Sequence, residues 1–340
     1  MRISKKTFIT TCIVLLIFFF SVTYELPYYI YKPGKVDVLD DVVEIEGGRH
    51  GNGHLHLVTV SGSKATPIQL AAAKMFSYHE ILPAEDARPE GITDDEYLHQ
   101  QLKMMENSQN ASKFVAYKAA GKEATVEFDG VYVVNVVEDM PAEGHLYMGD
   151  EISKVDDVSI EEAKDLTEYV GKKQPGDILN IELTRDDEMV TEEVEVMEFP
   201  EEDKVGIGIQ LVTNEQVQVS PPIVFESGNI GGPSAGFVFA LEIYNQLTEE
   251  DITKGYEIVA TGEIDYEGNI HRIGGIDKKV VAADRADMDF FFAPNEQGSE
   301  NSNYVEAKQT AEAIETDMEV IPIDTFDEAV DYLEQIDANE

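Results

Sequence analysis

This 340-residue chain is poor in cysteine and in positive charge. Its one cysteine, Cys12, lies inside an apolar run. The remainder therefore carries no disulfide and no thiol nucleophile, which excludes cysteine-based catalysis and cysteine-type zinc sites for it. Against 68 Asp and Glu stand only 25 Lys and Arg, a formal charge of −43. Such a field repels phosphate backbones, so no nucleic-acid partner is expected. It is the charge of a surface that stays hydrated in high salt, where dense carboxylates tolerate screening. A G-x-x-x-x-G-K-[S/T] phosphate loop is also missing, so no ATP-binding module and no ATP partner are expected.

Long hydrophobic runs are limited to one. Arg2, Lys5 and Lys6 precede "TFITTCIVLLIFFFSVTY", uncharged from Thr7 to Tyr24 and close to the roughly 20 residues that cross a bilayer. No acidic residue comes before Glu25, so the positive-inside rule places residues 1–6 in the cytoplasm, a transmembrane helix over 7–24, and the rest outside. The run ends in bulky residues without a small-x-small cleavage site, which favours a retained anchor in the cell membrane over a cleaved signal.

Apolar residues make up 43% of the whole chain, enough for a sizeable core. Residues 25–115 read as strands ("KVDVLDDVVEIEG", "HLHLVTVSG"), then helical stretches from Thr66-Pro67 and after "GITDDE". From about Ala124 the period drops to two. The signature Gly130-Val131-Tyr132-Val133, Pro141-Ala142-Glu143-Gly144, Gly149-Asp150-Glu151-Ile152, Val155-Asp156 and Pro175-Gly176-Asp177 resembles a PDZ domain, over 116–199. A PDZ domain adds an extended peptide as a strand and receives its carboxylate on backbone N–H groups. The usual loop of alternating glycine and apolar residues is replaced before the first expected strand by "AAGKEATVEF". Gly121 and Lys122 are the candidates there for the carboxylate end.

The last third alternates strands and helices, which argues for an α/β domain. "GNIGGPSAGF" surrounds Ser234 with glycines and runs into an apolar helix. Pro233 suits a first helical position, and Ser234 then sits where free N–H groups and the helix dipole favour an anion. Gly231, Gly232, Pro233 and Ala235 form the candidate oxyanion and substrate loop; a plain glycine loop capping a buried helix is the bland alternative. "GPSAG" also fits the α/β-hydrolase elbow, but only His271 follows, and too little chain remains for that large fold. A lysine can serve as base instead when burial makes its amine neutral. Lys278 and Lys279 open a helix after Gly274-Gly275, about 100° apart around its axis.

Ser234 in G-P-S-A-G, then Thr261-Gly262-Glu263, Gly268-x-Ile270 and Ile273-Gly274-Gly275-x-x-x-Lys279 resemble the proteolytic domain of Lon proteases. The resemblance implies a Ser-Lys dyad, with Ser234 as nucleophile, Lys279 as general base and Thr261 orienting the amine. Gly231 stands where many Lon enzymes have an acidic residue. Anchor, PDZ-like and Lon-like parts together resemble the membrane-anchored, PDZ-containing Lon-like serine proteases of peptidase family S16 (SepM/YlbL type). Members of that type process secreted pheromone precursors or remove small membrane-associated proteins. The resemblance implies a mixed α+β to α/β architecture, with a Lon-type proteolytic domain over 200–340 and the PDZ-like domain inserted in it or preceding it. Residues 25–115 would then belong to the protease. The implied partners are a peptide or small protein substrate and the membrane. No cofactor is implied, and Lon-type domains often form rings, so a homo-oligomer is compatible. An inert PDZ tethering protein is the alternative from another class.

His50, His54 and His56 lie close in sequence without a carboxylate or cysteine at ligand spacing, so no metal site is expected there. The acidic runs read as solvated surface that would also steer basic peptides inward.

Overall fold

The computed structural model describes residues 5–88, 93–185, 187–199 and 204–339. Most of the tail read at 1–6, and the junction read at 200, lie outside these residues. Helix α1 (Lys5–Thr23) is long and apolar enough to cross a membrane and packs none of its residues inside the fold. Then come β1 (Tyr28–Val38), β2 (His54–Lys64), β3 (Glu80–Pro83) and the long helix α2 (Asp94–Ala119). The middle third holds β4 (Glu123–Val136), β5 (Glu151–Val155), α3 (Ala163–Val170), β6 (Ile178–Arg185), β7 (Glu188–Glu195) and β8 (Ile209–Ser220). The last third supplies α4 (Gly236–Leu247), β9 (Glu257–Ala260), α5 (Ile276–Asp284), β10 (Phe290–Pro294), α6 (Asn303–Ile314), β11 (Glu319–Ile323) and α7 (Phe326–Gln335).

Strands from both ends of the chain share one sheet, ordered β11-β10-β9-β2-β1-β3. The segment from β11 to β2 is parallel, and β1 and β3 continue it antiparallel. "FFFAP" explains why the sheet has two buried faces. Successive side chains point to opposite sides, so Phe290 and Phe292 join one core with α2, α4 and α7, while Phe291 and Ala293 join another with α5 and α6. Helix α4, buried along most of its length, lies inside the first core. Capping boxes start α2 (Thr93 with Glu96) and α7 (Thr325 with Glu328). The stretch from Thr66, expected as one helix, stops at Ala73. Tyr78 then takes a positive φ, and Glu80–Pro83 becomes an edge strand on β1.

The middle third forms a second sheet, β8-β4-β5-β6-β7, around a separate core that includes Val131, Ile152, Leu166, Leu183 and Val194. Buried Asp150 is held there by Arg185 at 2.7–2.8 Å. Ile209–Ser220, read from the sequence as opening the proteolytic domain, pairs with β4 from Ile209↔Val136 to Ser220↔Glu123. This ribbon joins the two cores: Ala124 and Val219 pack with the first, Val133 and Leu211 with the second.

Phe292, fully buried beside Phe237 and Tyr332, tests the first core. Phe292→Ala leaves a cavity and should cost about 3–5 kcal/mol. Urea denaturation of the full chain in detergent should show that loss.

Candidate active site and the PDZ groove

The candidate site lies at the carboxyl end of β9, where helices from opposite faces of the sheet converge. Gly232, at φ +90°, turns the chain into a single 3₁₀ turn, Pro233–Ala235, that feeds α4. From the other face, Gly275 takes a left-handed conformation at the start of α5. An alanine there would be strained and would meet Val60 Cγ2 at 3.0 Å. Lys279 follows one turn later and is 3% exposed.

The Lys279 amine lies 2.8 Å from Ser234 Oγ and 2.9 Å from Thr261 Oγ1. Thr261 donates its own hydroxyl hydrogen to the Ser234 carbonyl at 3.1 Å, which leaves its oxygen to accept one hydrogen from the amine. A neutral amine so held keeps its lone pair for the Ser234 hydroxyl. Burial alone draws the Lys279 pKa down, to about 7; no carboxylate counters it. Lys278 has the opposite environment. Burial lowers its pKa, but hydrogen bonds to Glu80 and Asp277 outweigh it and raise the value. The sequence left two adjacent lysines, and the fold separates them by role.

Of the loop residues, Gly232 donates its N–H to Gln101 O at 2.8 Å, and Pro233 has none to give. Gly232 is therefore no oxyanion donor in this conformation, contrary to the reading of the whole loop. The amides of Ser234 and Ala235 have no acceptor among the described residues. The loop is tied down by α2, which sequence reasoning passed over. Ser108 donates to Pro233 O and Ser112 to Gly236 O, both at 2.7 Å. Gln101, Ser108 and Ser112 recur at i, i+7 and i+11, one helix face. Polar residues along an otherwise inward face were the available signal.

A cleft of about 600 Å³ opens beside Ser234, between Leu57–Ser61 of β2, the serine loop and Arg272–Gly274. Lys35 and Arg272 line it, and no carboxylate does among the described residues. The acidic surface therefore does not continue to Ser234. His271 pairs with Asp265 at 2.7 Å, and Lys279 instead of histidine meets the serine, which leaves the hydrolase elbow without its base.

Gly121 and Lys122 are not a carboxylate site. Gly121, at φ +67°, ends α2; its N–H bonds Lys118 O, and that of Lys122 bonds Tyr117 O. Both donors are consumed, at the negative end of a helix dipole. The alternating glycine and apolar residues sit instead at Val205-Gly206-Ile207-Gly208, leading into β8. There the amides of Ile207 and Gly208 have no acceptor among the described residues. They border a groove of about 680 Å³ between α3 and β8, lined by Leu166, Val170, Ile209 and Leu211.

With this geometry in hand, comparison with known proteins is direct. Residues 98–196 match the PDZ domain family, and residues 201–335 match the Lon protease (S16) C-terminal proteolytic domain. The chain joins a PDZ domain to a Lon-type proteolytic domain. A Lon protease of Aster yellows witches'-broom phytoplasma is 35% identical over 92 residues, 27% of this chain and 11% of that protein. One from Campylobacter jejuni is 30% identical over 102 residues, 30% of this chain and 12% of that protein. The chain thus spans about an eighth or less of these relatives. The PDZ domain of an SdrC-like protein from Listeria monocytogenes is 31% identical, covering 26% of this chain and 93% of that one, with a TM-score of 0.25.

A buried lysine makes stability depend on pH. Between about 7, its folded value, and about 10.5, its ordinary value, the unfolded Lys279 binds more protons than the folded one. Its cost is complete below that window and fades as pH rises through it. Lys279→Met should therefore be more stable to unfolding than wild type at pH 6, by on the order of 3 kcal/mol after lost hydrogen bonds. The gap should close by pH 10, and a pH-independent gap would contradict the assignment.

Proposed function

We propose that this protein is a membrane-anchored, ATP-independent serine endopeptidase working outside the cytoplasm, with Ser234 as nucleophile and Lys279 as general base. One observation carries the reading. A desolvated lysine without a counterion, 2.8 Å from a serine hydroxyl, destabilises the fold, and a domain serving only as a tether has no use for it.

The steps follow from the contacts. Lys279 takes the Ser234 proton as Oγ attacks the peptide carbonyl carbon. The Ser234 and Ala235 amides hold the oxyanion. Lys279 then gives its proton to the leaving amine nitrogen as the C–N bond breaks, leaving an acyl-serine. It next takes a proton from water, whose oxygen attacks the ester; Ser234 leaves with that proton. Thr261 keeps the amine aimed throughout.

The apolar α1, with Lys5 and Lys6 in its first turn and Arg2 before it, supports an anchor with the Lon-type domain outside. With no phosphate loop in the chain, nothing here would pull folded proteins apart, so substrates are flexible peptides or small membrane-associated proteins. The open amides at Ile207 and Gly208 support peptide capture by the PDZ domain, to recruit substrate or gate the site.

The test is cleavage of an unstructured peptide library by the full chain in detergent without ATP, read by mass spectrometry. Ser234→Ala and Lys279→Ala should abolish cleavage, and Lys278→Ala should retain it. Thr261→Ala should lower kcat by roughly 10- to 100-fold, and wild-type kcat/KM should rise with pH through about 7. Cleavage surviving Ser234→Ala would end the proposal.

A further inference from the structure

The far end of the nucleophile helix carries a cluster that the peptidase chemistry leaves unused. Glu242 lies in α4 two turns past the serine loop, is 1% exposed, and has one oxygen, Oε1, 2.6 Å from Gln246 Nε2. Its other oxygen, Oε2, is buried with no hydrogen-bond partner. A carboxylate oxygen so placed needs a partner, because burial strips its water and nothing replaces it. Asp40 and His50 face the same point: one ligand atom from each of Asp40, His50 and Glu242 lies within 4.8 Å of the others. The three come from separate segments, the turn after β1, the loop before β2, and α4. His54 stands behind Asp40, its Nδ1 3.1 Å from Asp40 Oδ2, the hydrogen bond that commonly orients a ligating carboxylate.

We propose that Asp40, His50 and Glu242 bind one divalent transition-metal ion, with zinc or manganese fitting the mixed oxygen and nitrogen donors. Zinc at bond lengths of about 2.0–2.1 Å needs donors closer together than 4.8 Å, so small side-chain rotations complete the site. The exposed His50 ring allows both that movement and entry of the ion from solvent. The role is structural: the ion ties the loop before β2 to the helix whose other end presents Ser234. The sequence hid this set. His50 and His54 stood together, but Asp40 and Glu242 are far apart in the chain, and only the fold supplies the carboxylates.

The measurement uses the full chain in detergent, stripped with chelator and titrated with zinc and, separately, manganese. It is run in 1 M sodium chloride so that the acidic surface does not hold ions by charge alone. One equivalent of metal by elemental analysis, with a raised melting temperature, is the expected result. Glu242→Gln and His50→Ala should each weaken binding roughly 100-fold, whereas His79→Ala, at a half-buried histidine outside the cluster, should not. His50→Ala touches no core residue, so it stays informative if Glu242→Gln fails to fold. Absence of binding, or binding indifferent to His50→Ala, would overturn the site.

Discussion

The candidate site in the Lon-type domain is arranged around one amine that is kept from water, that of Lys279. Lys279 can act as a base near neutral pH only if its charged form is disfavoured, which requires a dry pocket and no neighbouring carboxylate. In a chain with 68 acidic residues that exclusion is a demanding condition. The adjacent Lys278 shows the ordinary outcome, paired to Glu80 and Asp277. Opposite faces of the sheet deliver Ser234 and Lys279, and Thr261 at the end of β9 bonds to both.

Helix α2 connects that site to the PDZ domain. Through Gln101, Ser108 and Ser112 it fixes the serine loop. Through Lys103 to Asn214 and Asn110 to Glu215 O it also grips the ribbon at its irregular stretch. Its last turn ends at Gly121, from which β4 departs. One helix therefore touches both the serine loop and the strand pair that carries the PDZ core.

Much of the candidate site's geometry was legible because the relevant spacings are local. Ser234 within glycines, Thr261 at a strand end and Lys279 after Gly274-Gly275 each sit on a short segment whose conformation those residues dictate. The expectation at Gly121 and Lys122 failed for a topological reason. The alternating glycine and apolar residues precede β8, the last strand of the second sheet in chain order, so a search before the first strand found only a helix cap. Long-range partners were not legible either. Nothing in "YLHQQLKMMENSQNASKFVAYKAA" says which loop its serines will meet, and Asp40 and Glu242 become neighbours only through the sheet order.

The account rests on Lys279 being uncharged near neutral pH, and nuclear magnetic resonance can observe this directly. With ¹³Cε-labelled lysine in the full chain, the Lys279 signal is assigned by its loss in Lys279→Met and followed across pH. The account predicts a midpoint near 7, well separated from the other lysines. A Lys279 signal titrating near 10.5 with the rest would mean a charged amine beside Ser234, and the proposed base would be ruled out.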